Sequence, residues 1–205
     1  MKYRIFESWA RDLPAFNLND MRKFDPSFHR QQLTSWQKSK LIKPLAGGYY
    51  ILADKSVNED LLFLVANKLY EPSYVSLESA LAYYRVIPES VLGVTSVSSL
   101  KTKKFESAWG IFNYRSVKPL YMFGYLVIDS GTVTKFRIAN LEKAVLDYLY
   151  LNPGIQTKAD FEGLRWNKES LQGLRDNGLL LSYLEIFNKR ALDSRIEGLM
   201  EYLNA

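Results

Sequence analysis

The chain has no cysteine and one histidine, His29. Without thiols there is no disulfide, thiolate zinc site, iron–sulfur cluster or cysteine nucleophile. With one imidazole, no two-histidine metal site forms within one chain, and a Ser-His-Asp arrangement could draw only on His29. Long apolar runs are missing too. The longest is six residues, Leu61 to Ala66, against the roughly 20 that a transmembrane helix needs. The first residues, MKYRIFESWARDLP, lack an apolar core of signal-peptide length and include Glu7 and Asp12, so a cytoplasmic protein is expected. None of the 11 glycines forms a GxGxxG, GxxxxGK[ST] or GxSxG motif, which leaves no phosphate loop and no nucleophile elbow.

What is present is an ordinary globular mix. Of the 205 residues 47% are hydrophobic and 24% charged, with 27 Lys+Arg against 22 Asp+Glu. A chain of this length can bury roughly 70% of its unfolded surface and fits one or two domains. The net charge of +5 is unevenly spread. Residues 1–56 hold ten Lys/Arg and five Asp/Glu, residues 57–139 nine and seven, and residues 140–205 eight and ten. The first quarter therefore carries as much positive charge as the whole molecule. No acid occurs between Asp25 and Asp54, a stretch that contains Arg30, Lys38, Lys40 and Lys43.

The placement of those charges suggests their use. Asn19 to Phe24 reads as a short helix with Asn17 or Asn19 as its N-cap. Asp25-Pro26-Ser27 breaks it, and a second helix follows over about Phe28 to Leu41, opened by His29 as a surface or capping imidazole. At 100° per residue, Leu33 and Trp36 point one way with the stem of Lys40 beside them, while Arg30, Gln31, Thr34, Ser35 and Lys38 share the opposite side. That side has cations, an amide and hydroxyls but no carboxylate, the groups that reach phosphates and base edges in a major groove. Gly47-Gly48 then sits between two β-prone stretches, a hairpin signal. Helix, turn, polar-faced helix and hairpin predict a winged helix-turn-helix over residues 1–56, with double-stranded DNA as partner and Lys40 and Lys43 nearer the backbone.

Residues 57–205 read as one mixed α/β unit ending in helices, so the expected fold class is α+β. Helices are predicted at Val57 to Tyr70 with Asn58 as N-cap, at Leu77 to Tyr84 capped by Ser76, and at Leu141 to Leu151 capped by Asn140. Further helices are expected over about Lys158 to Leu164, Lys168 to Asn177 and Ser182 to Leu203. Extended segments are expected at Tyr74-Val75, Val91 to Ser99, Gly110 to Val117, Met122 to Ile128 and Thr132 to Ala139, with a turn at Asp129-Ser130-Gly131. Lys101, Lys103 and Lys104 form a second basic cluster between strands. It is either a solubilising turn or a second patch for nucleic acid or a protein partner.

Several blocks in order carry a family likeness. Tyr74 to Tyr84 (YVSLESALAYY), Ile87-Pro88-Glu89, Val94-Thr95-Ser96-Val97, Lys101 to Phe105, Gly110 to Arg115 and Ile138 to Asp147 resemble the signature of AbiEi-type antitoxins, as does Leu41-Ile42 leading to Gly48 to Leu52. The resemblance covers about residues 5–155. It implies a bacterial type IV antitoxin whose N-terminal winged helix binds operator DNA and represses its operon. The C-terminal domain would counteract a nucleotidyltransferase-like toxin without need of a stable complex. Two positions depart from the family. It often has arginine just before the wing's Gly-Tyr, where this chain has Ala46-Gly47, and it favours glycine where this chain has Arg85. Glycine there would be the natural left-handed cap, so the helix before Arg85 is expected to end differently.

No catalytic residue, metal or cofactor is expected. The toxin's Gly-Ser and Asp-x-Asp signature is absent. Among Asp129, Glu142, Lys143 and Asp147, the acids Glu142 and Asp147 lie about 140° apart around a helix and do not converge on one ion. The competing expectation is a stand-alone transcriptional regulator whose C-terminal domain senses a ligand or a protein.

Overall fold

Aromatic side chains gather the first fifty residues. The computed structural model describes residues 1–88, 93–129, 135–174 and 178–204. It begins with three short helices, α1 (Tyr3–Ala10), α2 (Leu18–Phe24) and α3 (Arg30–Lys38), and an antiparallel pair of strands, β1 (Ile42–Pro44) and β2 (Tyr50–Leu52). Helix α1 is not among the expected elements. No side chain caps its start, and burial of Phe6 and Ala10 holds it. Phe6 stacks on Trp36 with ring centroids 4.5 Å apart and meets Phe16 edge-on at 4.9 Å. Helix α2 starts on its asparagine signal: the Asn17 side chain accepts from the backbone N–H groups of Asn19 and Asp20, and Asp20 accepts from the Asn17 N–H.

Helix α3 is shorter than the predicted 28–41. His29 takes the N-cap position, its backbone N–H donating to Gln32 Oε1 at 3.4 Å. At the other end Lys40 is left-handed, with φ 55°. The Leu41 N–H reaches the Trp36 carbonyl at 2.9 Å and the Lys40 N–H that of Gln37 at 3.0 Å. This pair of bonds closes a helix end. Lys40 thus lies past the helix rather than beside Leu33 and Trp36.

The rest of the chain is built on a six-stranded mixed sheet. Its strands are β3 (Ser73–Val75), β4 (Val94–Ser98), β5 (Lys103–Ser107), β6 (Gly110–Ser116), β7 (Tyr125–Asp129) and β8 (Lys135–Ala139). They lie in the order β5-β6-β4-β3-β8-β7, with β3/β8 and β4/β6 parallel. Because strand side chains alternate, one face presents Val75, Val94, Phe112, Tyr114, Phe136 and Ile138. Helix α4 (Glu59–Leu69) covers this face. The Tyr114 hydroxyl donates to the Ala66 carbonyl at 2.6 Å, and Phe63 packs edge-on against Phe136 at 5.5 Å. Tyr74 points to the other face, toward α6 (Leu141–Leu151), which packs beside α5 (Leu77–Tyr83). Asn58 and Asn140 cap α4 and α6 as predicted.

Three local expectations are corrected. Lys103 and Lys104 belong to an edge strand, β5, rather than a turn, because pairing with β6 outweighs the poor strand propensity of the charged run. Ser76 stands before α5, but its hydroxyl donates to Asp147 instead of capping the helix. The helix predicted over Ser182 to Leu203 is two, α9 (Gly178–Phe187) and α10 (Arg190–Asn204), separated at left-handed Asn188. They follow α7 (Lys158–Leu164) and α8 (Lys168–Leu171). Of the predicted turn at 129–131, Ser130 and Gly131 lie outside the described residues. So do Val91, Thr132 and Asn177, at the ends of other predicted segments.

Arg85 reverses an expectation. It adopts φ 59°, and Arg85 N–H to Ala82 O and Val86 N–H to Leu81 O, both 2.8 Å, close α5 as a glycine would. The hydrogen bonds set the backbone and arginine bears the strain. Arg85→Gly should therefore raise the unfolding free energy by about 0.5–1 kcal/mol, the relieved strain exceeding the added freedom of the unfolded chain. Urea melts would show it as a higher midpoint at unchanged slope, and a lower midpoint would contradict it.

Candidate nucleic-acid interface

Helix α3 is anchored by Leu33 and Trp36, both buried. The opposite side is left to solvent: Arg30, Gln31, Thr34, Ser35 and Lys38 are all exposed. Among the described residues, none of these five side chains has a hydrogen-bond or ion-pair partner. Gln32, on the flank, is tied down by donating to the Met1 carbonyl at 3.1 Å. The turn leading into α3 is fixed by Asp25, whose carboxylate accepts from the Ser27 hydroxyl at 2.6 Å and the Ser27 N–H at 3.0 Å. Those bonds hold its carboxyl below the ordinary value, with the hydroxyl contributing most. The structure thus brings five of the predicted residues onto one exposed face of a helix that contains no acid, with exposed Lys40 just beyond the helix end.

Lys43 departs from the prediction. In the β1–β2 pair, Ile42 and Leu52 sit opposite each other and join the N-terminal core with Phe6 and Trp36. The other face, with Leu45, Ala46 and Ile51, belongs to the core of the larger body. Both faces of the hairpin are covered. Lys43, partnered with Ile51, points to the body, its ammonium 5.9 Å from the Trp109 ring centroid. It does not stand on the side of α3's exposed face.

The hairpin turn is packed as well. Gly47 has φ 57° and Gly48 φ 82°. A Cβ at Gly47 would stand 3.1 Å from Leu69 Cδ2 and 3.3 Å from Phe105 Cε1, so the positive φ favours glycine there and a larger residue would press on both side chains. The Tyr49 hydroxyl donates to the Lys68 carbonyl at 3.1 Å, pinning the strand to α4. The second basic cluster lies nearby. Lys101 offers its carbonyl to the Tyr70 hydroxyl at 3.0 Å, Lys104 pairs with Glu106 at 2.7 Å, and the Lys103 ammonium is 5.5 Å from the Phe105 ring centroid.

A second polar cluster joins two residues that the sequence offered only as metal-site candidates, Lys143 and Asp147, in a pairing it did not foresee. Lys143 and Asp147, one turn apart on α6, are fully buried and ion-paired. Asp147 Oδ2 also accepts from Tyr74 OH at 2.9 Å and Ser76 Oγ at 2.8 Å, while Lys143 Nζ donates to the Tyr74 oxygen at 2.7 Å. The rings of Phe123, Phe187 and Tyr74 surround the ammonium at 5.0–5.3 Å. Closed to solvent, the cluster holds α6 against β3 instead of meeting a ligand. The signal for it was available. Apart from Glu142, Lys143 and Asp147 carry the only charges on a helix otherwise apolar or tyrosine all round, which marks a buried helix.

Removing one partner should expose the cost of the other. Asp147→Ala should lower stability by roughly 3–5 kcal/mol, since it strands a buried ammonium, and Tyr74→Phe by about 1–2 kcal/mol. Alkaline pH gives an independent reading. Desolvation raises Tyr74 well above its usual value, with the Asp147 charge adding to it, and burial raises Tyr84 to about 12 and Tyr114 higher still. Phenols raised in the folded state stabilise fully below the unfolded value near 10 and lose that contribution as pH climbs through the folded values. Lys143, lowered by burial, acts oppositely just below 10.5. Urea midpoints should therefore fall steeply above pH 10, and less steeply for Tyr114→Phe.

The described residues contain no helix long and apolar enough to cross a membrane. No protein-family model matches the chain, and no match is found among curated proteins.

Proposed function

We propose that the protein is a DNA-binding regulator whose first 56 residues act as a winged helix-turn-helix, with α3 entering the major groove of double-stranded DNA. One observation carries this reading: α3 exposes two cations, an amide and two hydroxyls that are unpaired among the described residues, and the helix itself contains no acid. A helix face that served only solubility has no reason to exclude carboxylates, whereas phosphates repel them. Arg30 and Lys38 would contact phosphates or guanine, and Gln31, Thr34 and Ser35 base edges, with Lys40 near the backbone. The covered hairpin is not given a minor-groove role.

The resemblance to AbiEi-type antitoxins extends the proposal: a cytoplasmic repressor of its own operon, not an enzyme, whose residues 57–205 counteract a nucleotidyltransferase-like toxin. A second reading, a stand-alone regulator sensing a small ligand, is favoured by one feature. A cleft of about 910 Å3 lies between α4, α5 and the β5–β6 turn, lined by Phe63, Arg85, Trp109 and Asn167 among others. Co-expression with the adjacent reading frame separates the two, since an antitoxin restores growth that the neighbour arrests.

For the full chain, three phosphate-contacting cations in the N-terminal unit predict that log K falls with log salt with a slope of about −3. Gln31→Ala should change sequence preference, and Arg30→Ala should weaken every sequence roughly tenfold or less. Lys43→Ala should leave DNA affinity unchanged. A salt-independent affinity would defeat the reading.

A further inference from the structure

The cleft between α4, α5 and the β5–β6 turn has two charged groups among its described lining residues, the cation Arg85 and the acid Glu59. Most of the remaining wall is apolar, with Leu62 and Phe63 from α4, Val94 at the start of β4 and Trp109 in the β5–β6 turn. Arg85 is exposed, and its guanidinium has no ion-pair or hydrogen-bond partner among the described residues. Glu59 does not neutralise it. What acts on that carboxyl is loss of water first and the Asp60 charge next, both raising it. The backbone under Arg85 is clamped. Besides the two bonds that close α5, the Ser170 hydroxyl donates to the Arg85 carbonyl at 3.0 Å and the Asn167 N–H to the Val86 carbonyl at 2.8 Å. The side chain therefore leaves a fixed point on the wall of the cleft, from a left-handed conformation that glycine would adopt at lower cost.

We infer that this cleft binds a small organic anion, an apolar body bearing one carboxylate or sulfonate group, with Arg85 as the anchor of the charge and Phe63, Val94 and Trp109 as the surface that takes the body. The inference deepens the ligand-sensing reading above and rests on it, not on DNA binding. Its physical basis is the meeting of an unpaired cation, fixed at its backbone, with a concave apolar wall. Sites for small molecules take their affinity from apolar area and their orientation from a few polar groups, and about 910 Å3 is within their range. A guanidinium offers a carboxylate two parallel hydrogen bonds. The strain at Arg85 has its reason here as well, since a residue that weakens the fold is accounted for when its side chain serves a site.

Full-length protein, Arg85→Gly and Ala82→Trp are each titrated with two fluorescent probes of the same aromatic build, anilinonaphthalene sulfonate, an anion, and phenylnaphthylamine, which is neutral. Both brighten on entering apolar surroundings. Arg85→Gly should weaken the sulfonate roughly three- to tenfold and leave the amine within about twofold of the parent. Glycine suits the backbone at that position, so this variant does not threaten the fold. Ala82 is half-buried on α5 in the wall of the cleft, and a tryptophan there should fill the space and weaken both probes. If Arg85→Gly binds the sulfonate like the parent, or loses both probes equally, the anion site is refuted and the ligand-sensing reading survives. If Ala82→Trp binds both probes like the parent, they sit outside the cleft and the inference is overturned. Absence of binding of either probe by the parent protein removes the ligand-sensing reading, and the inference falls with it.

Discussion

A hairpin of three residues per strand, buried on both faces, is the constraint on which the arrangement depends. Its Ile42 and Leu52 complete a small aromatic core with α1, α2 and α3, while Leu45, Ala46 and Ile51 complete the large core around the six-stranded sheet. A short antiparallel pair alone is marginal in water, so the hairpin exists because both cores need it. In return it sets the angle at which α3 is carried. The helix cannot tilt relative to the sheet without uncovering apolar surface, at roughly 25 cal/mol for each Å2 exposed. The rigidity of the proposed reading head is therefore a packing property rather than a property of its own sequence.

The larger body has its own fixed point in the Lys143–Asp147 pair. Taking both charges out of water is costly, and the attraction between them offsets that only because the remaining donors and acceptors are filled by Tyr74 and Ser76. Such a cluster adds little net stability but is intolerant of misregister. A shift of β3 by one residue would turn Tyr74 away and put Ser73 or Val75, neither able to reach both charges as the phenol does, in its place. It specifies which strand α6 packs on.

Local signals were legible where local chemistry decides. Asn17, Asn58 and Asn140 each cap the helix that follows, and α6 has its predicted bounds. The exposed face of α3 was legible for the same reason, since one helical period and two apolar anchors determine it. What failed was decided at a distance. Helix α1 has no cap and is held by Phe6 against Trp36. Strand β5 is charged and exists through its partner β6. Lys43 reads as one more cation of a basic stretch, and only the second covered face of the hairpin turns it inward. The adjacent apolar pair Ile51-Leu52 was the clue, because consecutive apolar residues in a strand mean that neither side faces water. Arg85 shows the reverse case, a residue poorly suited to its conformation but held there by two backbone bonds.

The doubly covered hairpin also separates two kinds of boundary. By charge, the chain divides at residue 56. By packing it does not, because Leu45, Ala46 and Ile51 on one side of that line fill the same interior as Leu69 and Phe105 on the other. Exchanging the basic quarter for that of a relative would require matching side chains on both sides of the seam. Changes at Gly47, Leu69 and Phe105 should therefore arise together, so that the segment proposed to read DNA is inherited with the body that seats it.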